Sequence, residues 1–182
     1  HGVPAALMTL FVTGSLPRRE ITDQGVRLVP PGEALERLNT ELHDCFAGPT
    51  RFVTAICGVI DTRTGTITMA CAGHPPPLGI SRQGSRPVAV SGTLLGVLPG
   101  SKYPQVTIKL EEDELLVLYS DGIEGAFAAR HLPSADTSSP IPPHFTHLAS
   151  MRRGEAAESL DAAMEYLAES LDSQAGSFHQ DD

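Results

Sequence analysis

A short apolar run that ends on an acid constrains this chain more than any other stretch. Residues Leu115-Leu116-Val117-Leu118-Tyr119 are continuously apolar, Glu111-Glu112-Asp113-Glu114 precede them, and Ser120-Asp121-Gly122 follows at once. A run this short, with charge on one side and glycine on the other, predicts a strand buried on both faces. Asp121 then stands at the strand's end, at the rim of a packed core. Two readings are open for it. An Asp-Gly pair forms a turn that caps the strand. A carboxylate at such a rim also needs a partner, because an unpaired buried charge is costly, and a divalent cation is one such partner.

The rest of the chain places this strand among others. Residues 3–16 predict a helix with Pro4 in its first turn. Residues 17–30 read as a polar connector. Residues 32–46 predict a second helix, with Leu35, Leu38, Leu42 and Cys45 at the spacing of one face. From Phe52 the period changes. Residues 52–60 and 66–71 predict two strands joined through Asp61-Thr62-Arg63-Thr64-Gly65, a β-hairpin. Ala72-Gly73-His74-Pro75-Pro76-Pro77 interrupts the ladder, a third strand begins at Leu78, and residues 87–90 predict a fourth. Residues 94–100 form a compact loop, and Val106-Thr107-Ile108-Lys109-Leu110 alternates as a strand does. Beyond Asp121, the Ser- and Pro-rich residues 133–143 predict a mobile loop. Residues 155–171 predict a helix with Leu160, Met164, Leu167 and Leu171 on one stripe. Two helices, about six strands in meander-like succession and further helices indicate an α+β fold, with sheet stacked on sheet and helices outside.

Composition narrows the function classes. The 182 residues suffice for one domain with a real core. The net charge of −9 comes without any Lys/Arg cluster longer than a pair, which argues against nucleic acid and anionic membrane as partners. No apolar run approaches the ~20 residues that span a bilayer, so no membrane insertion is expected. Cys45, Cys57 and Cys71 are odd in number and widely spaced, and support neither a disulfide framework nor a zinc site. Free buried thiols suit a reducing compartment, and the expected location is cytoplasmic. The chain opens on His1 rather than Met and reads as a piece of a longer one, incomplete at both ends.

Several motifs now line up in order: His1-Gly2-Val3-Pro4-Ala5-Ala6-Leu7-Met8, Phe52-Val53-Thr54-Ala55 with Ala72-Gly73-His74-Pro75-Pro76, residues 115–122, and Asp181-Asp182. Pro31-Gly32-Glu33-Ala34-Leu35-Glu36-Arg37-Leu38-Asn39, and Leu95-Gly96-Val97 followed by Tyr103, add to the set. The ordered set resembles the SpoIIE/RsbU branch of the metal-dependent Ser/Thr protein phosphatases, the PPM or type 2C family, over nearly the whole chain. The resemblance implies a single phosphatase domain over 1–182, folded as a four-layer αββα sandwich of two antiparallel sheets flanked by helices. It also implies a site for two Mn²⁺ or Mg²⁺ ions, hard cations that take oxygen ligands. Asp121 matches the metal-binding Asp of the family's Ser/Thr-Asp-Gly motif, with Gly122 beside it. Asp181 matches the metal-binding Asp of the C-terminal Asp-Asp motif. His1 and Gly2 match the end of the Gly-Asp-x-x-Gly-His-Gly segment, whose bridging Asp would precede His1, so the chain as given is expected to be an impaired catalyst.

No catalytic side chain is assigned. Glu124 stands one position earlier than the family's acid, and His74 reads as a turn-fixing residue whose imidazole bonds the backbone. The activity implied is hydrolysis of phosphoserine or phosphothreonine on a regulatory partner protein in bacterial signalling. The implied partner is a phosphorylated protein of the STAS-type anti-sigma-factor antagonist kind, and the parent chain would carry an N-terminal sensor or receiver domain. The alternative is a catalytically inactive phosphatase-like binding module.

Overall fold

A computed structural model of the chain describes residues 3–46, 52–120 and, further on, 161, 162, 165, 168 and 169. Those last five are helical, as the helix expected over 155–171 requires at these positions. The mobile loop expected over 133–143 lies outside the described residues. The described elements sort into two compact units.

The first unit holds α1 (Val3–Ser15), the hairpin β1 (Arg19–Thr22) and β2 (Gly25–Leu28), α2 (Pro31–Cys45), the hairpin β3 (Ala55–Asp61) and β4 (Thr66–Ala72), and β7 (Gln105–Lys109). β4 lies between β3 and β7 and is antiparallel to both. As the central strand it is the most deeply buried, and Met69, Ala70, Cys71 and Ala72 are all inside. α2 begins where Pro31 presets the helical φ, with the Ala34 N–H donating to the Pro30 carbonyl at 2.9 Å. Its period of 3.6 brings Leu35, Leu38 and Leu42 onto one stripe, and these pack with Ala70, Ala72, Leu95 and Tyr103 as the core. Phe11 of α1 meets Phe46 edge to face, 5.0 Å between ring centres.

The second unit holds β5 (Leu78–Ser81), β6 (Gly84–Pro87) and β8 (Leu115–Val117), with β5 in the middle and antiparallel to both neighbours. The predicted meander is therefore corrected: the β5–β6 hairpin stands between β4 and β7 in sequence but belongs to a different sheet, and the chain changes sheet again from β7 to β8. No helix among the described residues is long and apolar enough to cross a membrane.

Four local expectations are corrected. The connector over 17–30 contains the β1–β2 hairpin, which polar composition concealed because its apolar residues Ile21, Val26 and Leu28 face outward. The fourth strand is Gly84–Pro87 and not 87–90. Gly84, at φ 145°, closes a tight turn that starts the strand early, and Val88 instead donates its N–H to the Pro77 carbonyl at 2.7 Å. Cys45, although in line with Leu38 and Leu42, is exposed because it is the last residue of α2. The run at 115–119 is not buried on both faces: Leu115, Leu116 and Val117 are half-buried, Leu118 is 55% exposed, and only Tyr119 is inside.

Candidate functional site

The residues assigned from the sequence, His1, Gly2, Asp121, Gly122 and Asp181, lie outside the described residues, as do Glu124 and Asp182. The described residues show what leads to them. α1 follows Gly2, and β8 runs toward Ser120 after pairing Leu115, Leu116 and Val117 with Ile80, Gly79 and Leu78 of β5. Among the described residues no three His, Cys, Asp or Glu side chains gather as a metal site. The donor set proposed from sequence consists of carboxylates, whose hard oxygens fit Mn²⁺ or Mg²⁺.

The motif at 72–77 has a physical explanation. Gly73 has φ 60°, and a Cβ there would lie 2.4 Å from Cδ2 of Leu94, so both backbone sign and space exclude a side chain. Its N–H donates to the Gly92 carbonyl at 2.8 Å. Gly92 in turn passes so near β4 that a Cβ would stand 2.1 Å from the Cys71 carbonyl. The Cys71 thiol donates to the His74 carbonyl at 3.1 Å. Burial pushes this thiol's pKa up, which keeps it protonated and poorly nucleophilic. The His74 imidazole does not bond the backbone as expected. Its Nδ1 lies 3.3 Å from Oγ1 of Thr54, so the two side chains that the sequence offered separately meet across the hairpin's open end.

A second junction joins two stretches that were separate in the sequence. Asn39 is buried on the apolar face of α2. Its Nδ2 donates to the Leu98 carbonyl at 2.9 Å, and its Oδ1 accepts from the Gly96 N–H at 2.8 Å. One amide thus satisfies two backbone groups of the loop at 94–100, as a buried polar side chain must be satisfied. The same loop is clasped to Val53 by two backbone hydrogen bonds with Leu95, 3.0 and 3.2 Å long. Gly32 lets the first turn of α2 lie against Tyr103, whose carbonyl would be 2.4 Å from a Cβ at that position. The sequence assigns Asn39 no role. The available signal was a lone amide amid Leu35, Leu38 and Leu42.

The Thr54–His74 turn, the 94–100 loop and the first turn of α2 make a rigid scaffold of short side chains and glycines. The fold that carries it has known counterparts. Two solved structures share it: the SiaA PP2C domain of Pseudomonas aeruginosa, at 17% identity and TM-score 0.72 over 100% of this chain and 68% of that one, and the RsbU and RsbW domains of a Mycobacterium tuberculosis protein, at 23% identity and TM-score 0.65 over 96% and 44%. The fold is the α+β fold of PP2C domains, and the antiparallel sheets are those the sandwich expectation requires. The chain belongs to the SpoIIE family, whose model, Stage II sporulation protein E, matches residues 1–182. Phosphoserine phosphatase RsbP of Bacillus subtilis is 29% identical over 136 residues, 72% of this chain and 32% of RsbP. Protein IcfG of Synechocystis is 30% identical over 76 residues, 41% of this chain and 12% of IcfG. The chain thus spans a third or less of the length of these curated relatives.

Proposed function

We propose that this chain is a single phosphatase domain that hydrolyses phosphoserine or phosphothreonine on a regulatory partner protein, dependent on Mn²⁺ or Mg²⁺. The observation that carries the reading is membership of the SpoIIE family along the whole sequence, with a phosphoserine phosphatase among its relatives. Asp121 and Asp181 are the proposed metal ligands. Two bound ions would supply an activated water and neutralise phosphoryl oxygens. The chain's own contribution is positioning. The β5–β8 ladder fixes the strand that leads to Ser120-Asp121-Gly122. The dependence on cations follows from charge: a chain of net charge −9 has little to attract a phosphate until metal is bound. The proposed partner is a phosphorylated STAS-type anti-sigma-factor antagonist. The proposed setting is sigma-factor regulation in the bacterial cytoplasm, downstream of a sensor or receiver domain.

The experiment is hydrolysis of p-nitrophenyl phosphate and of a phosphorylated antagonist by the full-length protein, with and without Mn²⁺, beside its Asp121→Asn variant. Activity that requires Mn²⁺ and disappears in the variant is expected. A folded full-length protein that is inactive with metal, or an Asp121→Asn variant as active as its parent, would overturn the reading.

A further inference from the structure

The ladder that directs the chain toward Asp121 is short. β8 meets β5 at three positions, with Leu115, Leu116 and Val117 opposite Ile80, Gly79 and Leu78. Nothing in those β8 side chains selects that register. All three are apolar and half-buried, and Leu118 follows them. A strand keeps its register where a slip would exchange apolar side chains for polar ones on the buried face. Here a slip of one residue exchanges apolar for apolar.

A side-chain bridge supplies what the pattern lacks. Gly79 of the central strand stands opposite Arg86 of β6 on one side and Leu116 of β8 on the other. A Cβ at Gly79 would lie 3.4 Å from Cγ and Nε of Arg86 and 2.6 Å from Oε1 of Glu114. The missing side chain thus leaves the gap through which Arg86 crosses β5. Its Nη2 donates to Oε1 of Glu114 at 2.7 Å. Oε2 of the same carboxylate accepts the Glu111 N–H at 3.1 Å, so both oxygens of a side chain only 3% exposed are engaged. A slip of one residue would carry Glu114 ~3.3 Å along the strand and turn its side chain to the other face of the sheet, which breaks the bridge. The same slip would move the residues that follow β8 by ~3.3 Å, whereas a metal site tolerates only ~0.2 Å in its ligand distances. We propose that Arg86 and Glu114 are positioning residues for the metal site: their bridge across Gly79 sets the register of β8 on β5, and with it the point to which the chain carries Asp121. The inference rests on the reading of Asp121 as a metal ligand. Without the bridge the competent register is only a fraction of the population. Apparent metal affinity then falls by that fraction, while the metal-loaded enzyme is unchanged.

Calorimetric titration of the full-length protein with Mn²⁺ tests it, together with hydrolysis of p-nitrophenyl phosphate at saturating Mn²⁺ and the melting temperature in EDTA. Arg86→Ala, at a half-exposed position, should weaken Mn²⁺ binding about tenfold and leave kcat at saturating Mn²⁺ within about twofold. Arg86→Lys keeps a donor for the one oxygen and should recover most of the affinity. Glu114→Ala should weaken binding as Arg86→Ala does, and the double variant no more than either, because the two residues act as one bridge. Arg82→Ala is the control. It breaks the exposed Arg82–Asp113 ion pair, 3.0 Å long, which joins the same segments without crossing the sheet, and it should bind Mn²⁺ as the parent does. Arg86 and Glu114 variants that melt earlier in EDTA yet bind Mn²⁺ like the parent would overturn the inference, as would a loss of affinity that Arg82→Ala shares. Should the parent bind Mn²⁺ no better than its Asp121→Asn variant, the phosphatase reading falls and the inference with it. If the parent binds through Asp121 and Arg86→Ala binds equally well, the inference alone falls.

Discussion

At the scale of single residues, glycine and asparagine hold this structure together where a larger or apolar residue would fail. Gly92→Ala would drive a methyl group into the Cys71 carbonyl, a backbone atom of the central strand that cannot step aside. We expect a loss of about 3 kcal/mol in urea denaturation, at the upper end of overpacking costs. Gly79→Ala makes a useful contrast. The nearest atom to its new Cβ, at 2.6 Å, is Oε1 of Glu114, the end of a flexible side chain. That side chain is 3% exposed and is held by Arg86 at 2.7 Å and by the Glu111 N–H at 3.1 Å, so the substitution should cost about 1–2 kcal/mol, less than Gly92→Ala because side chain rather than backbone must move. Asn39→Ala leaves the Gly96 N–H without its partner, whereas the Leu98 carbonyl keeps the Ser101 hydroxyl at 2.8 Å. Denaturation should register a loss of about 1–2 kcal/mol. The thiols should separate by reactivity. Cys45 is exposed, whereas burial raises the pKa of Cys57 and Cys71 above the ordinary 9.0. Ellman's reagent at pH 8 should therefore titrate Cys45 quickly, the half-buried Cys57 slowly and Cys71 only on unfolding. Three thiols reacting at one rate would contradict the packing described here.

At the scale of elements, the β1–β2 hairpin depends on α2 for its place. Its attachment consists of Glu20, Arg27, Glu33 and Arg37, all part-buried. Hydrogen bonds from Arg37 and Arg27 hold the Glu20 carboxyl below its ordinary 4.5, and Arg27 does the same for Glu33. Carboxylates with lowered folded pKa contribute stability that is present above pH 4.5 and lost as pH falls through the folded values. Amide protection factors in Arg19–Thr22 and Gly25–Leu28, which correct exchange for its slower intrinsic rate in acid, should accordingly fall below pH 4.5 before those of β3–β4 do, and salt should lower them too. Exchange in the two hairpins accelerating together would show that the charges do not anchor β1–β2.

The same elements show what the sequence made legible. The stripe of Leu35, Leu38 and Leu42 announced α2, and the turn ending in Gly65, at φ 68°, announced the β3–β4 hairpin. Periodicity reports burial, so it was silent about β1–β2, whose outward residues are the apolar ones. It misplaced β6, where Val88 and Val90 are buried without joining a ladder. The ordered motifs marked Asp121 and Asp181 as candidate ligands. They did not reveal that Asn39 reaches the 94–100 loop or that His74 meets Thr54, because such pairings span tens of residues and leave no local period.

At the scale of the whole molecule, the proposed site makes stability a function of metal. A ligand that binds only the folded chain stabilises it by about 2.7 kcal/mol at a hundredfold excess over Kd. Mn²⁺ should therefore raise the melting temperature of the full-length protein, and Asp121→Asn should abolish most of that rise. An equal rise in both proteins would remove Asp121 from the ligand set. The insertion of β5 and β6 between β4 and β7 also sets an order of assembly. β3 and β4 close over a four-residue turn, whereas Thr68 of β4 must find Thr107 of β7 along the sheet, with the whole β5–β6 excursion between them. Loop-closure entropy makes the local hairpin the early event and the arrival of β7 a late one. During synthesis the emerging chain therefore carries an unfinished three-stranded sheet until residues 105–109 leave the ribosome, and for that interval β4, the most deeply buried strand of the finished sheet, has an open edge.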